Sequence, residues 1–287
     1  MITDVLNEIQ SRLPTLSKGQ KRIAQYILDK FDKAAFMTAG TLGKTVQVSE
    51  STVVRFAGEM GYKGYPELQK ALQEMVMHRL TSVQRMKIAE KQISDQDLLT
   101  HVFQGDMDRI RHTQDTLDRK ALDGAVEALL NAKRVYILGA RSSASLASFL
   151  HYYLRYIVED ARLAASASGT AVLEQLMRVG PEDTVVAISF SRYSTAVLQG
   201  AEYAKSVGAK VIALTDGETS PLAKSADFLL TASCDMVSLV DSLVAPMSII
   251  NALIVSAASR RKKETAALFD KLEEVWDNYH VYEKADE

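Results

Sequence analysis

The stretch Leu42–Gly61, LGKTVQVSESTVVRFAGEMG, reads as two short helices joined by a tight turn. Leu42 and Val46 are four apart and share a helical face; Val53, Phe56, Ala57 and Met60 make a second apolar stripe at three-and-four spacing. Gln47 and Val48 lead into Ser49, a residue type whose side-chain oxygen takes an orphan amide at a helix start. Gly43 suits a close helix crossing, and Gly61 is a natural C-terminal stop. The second helix offers water Glu50, Ser51, Thr52, Arg55 and Glu59, short polar groups with one arginine. At a helix N-terminus, which also attracts phosphate, that is a base-reading face. An ordinary antiparallel helix pair with a solvated face would share much of the pattern, but not the combination of short turn and capped second helix.

The surrounding composition agrees with two globular domains. There are 287 residues, 47% hydrophobic and 24% charged. A single cysteine, Cys234, rules out a disulfide framework and fits a reducing cytoplasm. The start, MITDVLNEI, lacks the basic-then-apolar order of a signal peptide. Ser242–Ser259 is free of charge, yet Pro246, Asn251 and its serines suit a buried helix rather than a lipid-facing one, so no membrane partner is expected. The net charge of −2 hides an asymmetry: residues 1–79 hold eleven Lys and Arg against eight Asp and Glu, and the remainder is acidic. A mildly basic head beside an acidic body is the balance that a DNA-contacting module needs.

The expected organisation is an all-helical DNA-binding domain over 1–79, a helical linker over 80–118, an α/β domain over 119–262, and a C-terminal helix and tail over 263–287. In the head, Ser17 caps a helix with Ile23, Ala24, Ile27, Leu28 and Phe31 on its core face, and Pro66 opens another. Lys44, Ser49, Lys63 and Tyr65 are groups suited to holding a phosphate backbone; a tyrosine body packed on the core is the alternative for Tyr65. Beyond Lys120, short apolar strands alternate with helices: Arg134–Gly139, a weaker Leu163–Ala167, Asp183–Ser189, Lys210–Thr215 and Phe228–Thr231. Such runs make a parallel sheet covered on both faces.

Ligands of such sheets bind at the carboxyl ends of the strands, where helix N-termini present free amides. Those ends carry Ser142, Ser143 and Ser145 on one loop and Ser189, Ser191, Ser194 and Thr195 on another, with Thr215 and Ser220 after a third strand. Hydroxyls and amides without a carboxylate suit an anion, most simply the phosphate of a small metabolite. There is no GxGxxG, no GxxxxGK[ST] and no metal-spaced His/Cys set, so no cofactor or metal is expected.

Together these segments resemble a known family. VSESTVVRF followed by GYKGYPEL is similar to the head of RpiR-type bacterial transcriptional regulators; ILGARSSA, VVAISFSRYST and ALTD…SPLA resemble their sugar isomerase (SIS) domain. The resemblance implies a helix-turn-helix head that binds double-stranded operator DNA and a flavodoxin-like SIS domain that senses a phosphorylated sugar, usually in control of carbohydrate catabolism, in homodimers or homotetramers. It assigns Ser142 and Ser143 to the first phosphate-binding set, and Ser189, Ser191 and Thr195 to the second. Gln47 stands where the family turn usually has glycine, which implies a strained or reshaped backbone. Arg192-Tyr193 replaces a glycine-containing stretch, and Arg192 there either clamps an anionic group or fills the pocket. The alternative function, a sugar-phosphate isomerase with a helical extension, needs a general base. Glu174 is the best placed by chain order among Glu174, Asp216, Glu218 and Asp241, but none sits in an acid/base motif. The reading is therefore a ligand-gated regulator, not an enzyme.

Overall fold

Three helices of the N-terminal unit begin where the sequence supplies a hydroxyl for otherwise unpaired amides. A computed structural model describes residues 5–79, 98–164, 169–234, 236–237 and 240–282 of the chain, which divides into two compact units, 1–92 and 93–287. In the first, α1 (Val5–Arg12) gives way to a 3-10 turn holding Pro14. Ser17 then opens α2 (Lys18–Asp29) with a reciprocal capping box, its hydroxyl accepting from the Gln20 amide while the Gln20 side chain accepts from the Ser17 amide. The short α3 (Phe31–Ala34) follows, then α4 (Ala39–Thr45), capped by Thr38, α5 (Glu50–Glu59), capped by Ser49, and α6 (Tyr65–Arg79). Their stripes meet in one core in which Ile9, Ile23, Ile27, Leu42, Phe56, Leu68 and Leu72 are fully buried.

The turn between α4 and α5 is held by backbone bonds from Val46 to Leu42 and from Val48 to Gly43. A Cβ on Gly43 would lie 2.9 Å from the Val48 carbonyl oxygen, so only glycine fits that crossing. Gln47 takes the left-handed conformation, φ 55°, that its departure from glycine implied, and its carbonyl accepts from Arg22 at 2.8 Å. Gly61, also left-handed, follows the end of α5.

One expected DNA contact is corrected here. Tyr65 is 3% exposed, and its hydroxyl donates to the Met37 carbonyl at 2.7 Å, beside Gln69, which bonds the same oxygen. Burial pushes its phenol up to about 12. It ties α6 to the segment between α3 and α4 and is a core residue, not a phosphate contact.

The second unit opens with α7 (Leu98–Thr116) and α8 (Arg119–Asn131). The residues of the expected linker before Leu98, with its anchors Val83, Met86 and Ile88, lie outside the described residues. From Leu98 on, the stretch read as linker belongs to the body: Asp106 accepts from the Ser242 hydroxyl at 2.7 Å and Thr113 accepts from the Ser233 amide at 2.9 Å. There follow β1 (Val135–Gly139), α9 (Ser143–Leu154), β2 (Ala161–Ala164), α10 (Gly169–Gln175), β3 (Thr184–Ile188), α11 (Thr195–Ser206), β4 (Lys210–Thr215) and β5 (Phe228–Thr231). The strands pair in parallel in the order β2-β1-β3-β4-β5. A small hairpin of β6 (Met236–Val237) and β7 (Val240–Asp241) leads to α12 (Val244–Arg260) and α13 (Lys262–Asn278).

The sheet is covered on both faces. One core joins Val126 and Leu129 of α8, Leu146 and Leu150 of α9, and Ile250 and Leu253 of α12; the other joins Val172 of α10 to Val197 and Ala201 of α11. The Leu163–Ala167 strand is shifted: it starts at Ala161, and 165–168 lie outside the described residues. The uncharged segment makes α12 as a core helix, with Val255 on its outer side exposed. None of the described helices is long and apolar enough to cross a membrane.

The left-handed Gln47 gives a direct test. A β-branched residue tolerates that conformation worst, so Gln47→Val should cost about 1–2 kcal/mol, whereas Gln47→Gly should cost nothing because relief of strain offsets glycine's added chain entropy. Urea denaturation of the full chain followed by circular dichroism reads both; equal losses for the two variants would remove the strain at Gln47.

Candidate functional site

In the head, α5 presents an exposed polar face. Along α5, Val53, Phe56 and Ala57 turn inward, leaving Glu50, Ser51, Val54, Arg55 and Glu59 exposed. Ser49 accepts from the Thr52 amide at 3.3 Å, and its hydroxyl lies 2.9 Å from that of Ser51 and 2.8 Å from that of Thr52. Thr52 is half-buried in this cluster and sits at the edge of the face rather than at its centre. Glu50, the first residue of the helix, lies over Gly40 of α4, where an acid suits the helix N-terminus. Arg55 Nε reaches the Ser51 carbonyl at 3.4 Å, a weak tether for a long exposed side chain. Lys44 and Lys63 are exposed on the flanking segments. Val54, 45% exposed between Ser51 and Arg55, was not anticipated. The signal available was its place off the apolar stripe, next to a buried valine.

In the second unit the two serine loops come together because β1 and β3 are neighbours, paired from Val135↔Thr184 to Gly139↔Ile188. The helices that follow them, α9 and α11, belong to opposite faces of the sheet. The strand order therefore reverses between β1 and β3, the point at which open α/β sheets hold their ligand crevice, outside the carboxyl ends of the strands. Gly139 allows α9 to start at once: a Cβ there would come within 2.6 Å of Ala147 Cβ and of the Ser143 carbonyl oxygen.

Around this crevice Ser142 and Thr195 are exposed, Ser191 and Ser194 half-buried, and Ser143 and Ser189 buried. The Ser189 hydroxyl accepts from the Ser194 amide at 3.1 Å, closing its loop across five residues. Ser142 stands at the N-cap position of α9 without a side-chain capping bond, while the Ser145 hydroxyl bonds back to the Ser142 carbonyl at 2.7 Å. Arg192, in the Arg192-Tyr193 stretch expected to replace a glycine-containing one, is exposed and left-handed, φ 64°; Arg141, on the neighbouring loop, is also exposed and left-handed at φ 58°. The serine reading passed over Arg141, whose only signal was its place before the serine pair.

A hydroxyl network fixes the end of the next strand. Thr215, fully buried, bonds Ser220 at 2.7 Å and Asp216 at 3.1 Å, and the Tyr193 hydroxyl donates to Asp216 at 2.7 Å. Tyr193 thus links the second serine loop to β4, a contact no local pattern announces. Of the acids considered as a base, Asp216 is held in this network and Glu174 is exposed on α10. Among the described residues no group of three or more His, Cys, Asp and Glu could hold a metal ion.

Comparison with known proteins matches both units. Residues 3–78 fit the helix-turn-helix domain of the rpiR family, and residues 128–256 fit the SIS domain. The regulator HexR of Pseudomonas aeruginosa is 27% identical over 265 residues, 90% of each chain, and HexR of Escherichia coli is 28% identical over 90% of this chain and 89% of its own. Among solved structures, the sugar isomerase domain of an RpiR transcription factor from Sphaerobacter thermophilus is 27% identical, with a TM-score of 0.60 over 62% of this chain and 99% of its own. The NanR protein of Vibrio vulnificus, solved in complex with ManNAc-6P, shares the fold at 23% identity, with a TM-score of 0.59 over 94% of this chain and 97% of its own. With a capped helix-turn-helix head, a SIS sheet and curated relatives named as transcriptional regulators, the chain belongs to the RpiR-type transcriptional regulators.

Proposed function

We propose that the chain controls operator affinity through a phosphorylated sugar bound at the crevice between β1 and β3, in a cytoplasmic homodimer or homotetramer that governs carbohydrate catabolism genes. The observation that carries the reading is the side-by-side arrangement of two serine loops, each opening a twelve-residue helix, at a strand-order reversal. In this reading the phosphate takes hydroxyls and amides from Ser142, Ser143, Ser191, Ser194 and Thr195. Ser189 shapes the second loop, and Arg192 and Arg141 add positive charge at the rim. That NanR was solved with a phosphorylated amino sugar supports the ligand class. The sugar can bias the heads only through different affinities for two arrangements of the protein.

On the DNA side, Ser51 and Arg55 read base edges from α5, with Glu50 and Thr52 at the margin. Val54 meets the methyl of a thymine, and Lys44, Ser49 and Lys63 hold phosphates. Arg55→Ala should cost on the order of 1–3 kcal/mol and relax specificity at one position, while Lys63→Ala should weaken all sequences alike and lower the salt slope by about 1. Titrations against operator and scrambled DNA at several salt concentrations measure both. Parent-like operator binding by Arg55→Ala would remove α5 as the reading helix.

On the sensor side, a thermal-shift screen should find a sugar phosphate that binds while its unphosphorylated parent does not. Ser142→Ala with Ser191→Ala should reduce its affinity by well over tenfold, at about 1.5–3 kcal/mol for each hydrogen bond to a charged group. Operator binding without the sugar should survive, giving a protein deaf to effector rather than inactive. A full effector response in the double variant would place the pocket elsewhere.

The two roles open to Arg192 separate in a third measurement. Loss of sugar-phosphate binding in Arg192→Ala identifies a clamp, and unchanged or tighter binding identifies a side chain that fills the pocket.

A further inference from the structure

The positive charge of the head is gathered on one shoulder. Residues 17–22 and 38–55 cover the start of α2, then α4, the turn and the first part of α5. They hold five Lys and Arg against a single acid, Glu50, whereas the rest of 1–79 holds six against seven. The whole basic excess of the head therefore lies there. Lys44 and Arg55 already belong to the DNA reading. Lys18, Lys21 and Arg22, on α2, do not.

Packing sets these three beside the helix that reads DNA. Gly19 brings the first turn of α2 against the first turn of α5: a Cβ there would meet Val48 Cγ1 at 3.5 Å and Thr52 Cγ2 at 3.6 Å. One turn on, Arg22 donates to the Gln47 carbonyl, in the turn that leads into α5, at 2.8 Å. Lys18, Lys21 and Arg22 are spaced three and four apart, so they share a face, and all are exposed. The core stripe of Ile23, Ala24 and Ile27 fills the other side of α2. Among the described residues the ammonium groups of Lys18 and Lys21 have no partner, whereas Arg12 at the end of α1 is paired with Glu8 at 2.7 Å. The first turn of α2 holds no acid, and a lysine there opposes the helix macrodipole. Nothing inside α2 favours these cations at that end.

We infer that the basic face of α2 is a second grip on double-stranded DNA. With the start of α5 in the major groove, Lys18 and Lys21 hold the phosphate backbone that borders the groove. Arg22, bonded to the turn, keeps α2 and α5 in one body, so the grip fixes how the reading helix sits. The inference rests on the reading of α5 as the recognition helix and widens the footprint of each head. Because the two lysines meet phosphates alone, they add affinity on every sequence and specificity on none.

Fluorescence anisotropy of a labelled random-sequence duplex, titrated with the full chain at several salt concentrations, tests it. Lys18→Ala with Lys21→Ala should lower the slope of log affinity against log salt by about 1.8 for each head bound, which is about thirtyfold weaker binding at roughly 0.15 M salt when referred to about 1 M. Lys18→Arg with Lys21→Arg should keep the parent slope. Lys30→Ala with Lys33→Ala removes the same charge beyond the far end of α2, Lys30 lying about 18 Å along the helix from Lys18, and should leave the slope unchanged. A slope unmoved by the Lys18 and Lys21 alanines, or lowered equally by the Lys30 and Lys33 pair, would overturn the inference while α5 keeps its role. A parent chain that binds no duplex at any salt overturns the reading of α5 and this inference together.

Discussion

The serine crevice depends on the register of β1 against β3, and that register is clamped at the far end of the strands. Asp183, whose side chain is fully buried, accepts from Arg134 Nε at 2.9 Å and Nη2 at 2.8 Å and from the Gly180 amide at 2.8 Å. A carboxylate so enclosed is tolerable only with its oxygens bonded, and a bidentate arginine leaves no freedom to slide. Arg134 immediately precedes β1 and Asp183 immediately precedes β3, so the pair sets both strands to a common start. A slip of one residue would turn every side chain of a strand to the other face and separate the two serine loops.

Much of this was legible because it is local. Four of the five strands are continuous apolar runs, and the caps at Ser17 and Ser49 are hydroxyls placed before periodic stripes. What escaped depends on contacts far along the chain. Tyr65 looked like a phosphate contact because its neighbours Gly61 and Lys63 sit in an exposed turn; only the Met37 carbonyl, twenty-eight residues earlier, claims its hydroxyl. Helix α10 and the β6–β7 hairpin are too short for a period to declare itself. Tyr193 gives no hint of Asp216 until β3 and β4 pair.

The non-glycine residues at Gln47 and Arg192 show where physics and family pattern meet. Both hold a backbone conformation that costs an L-residue about 1–2 kcal/mol, and each sits beside a candidate contact surface. At Gln47 the carbonyl bond from Arg22 anchors the turn from a helix outside the pair. At Arg192 the same conformation carries the side chain out of a loop whose neighbours are small hydroxyls. Of the acids considered as a base, Asp216 is held in the Thr215–Tyr193 network, Glu174 is exposed on α10, Glu218 is exposed in a turn and Asp241 lies half-buried in β7.

The bond from the Ser194 amide to Ser189 has a consequence for how a signal could leave the crevice. A loop stapled across its own base has little conformational entropy left to lose, so an anion entering it would be greeted by an arrangement already paid down by the chain. Order–disorder of that loop is then a poor messenger. The stiff lever attached to it is α11, whose first turn begins at the staple and whose inner side is packed on the sheet. Information would travel as a small rigid displacement of that lever, the shear mode of packed helices, with timing set by repacking rather than by folding.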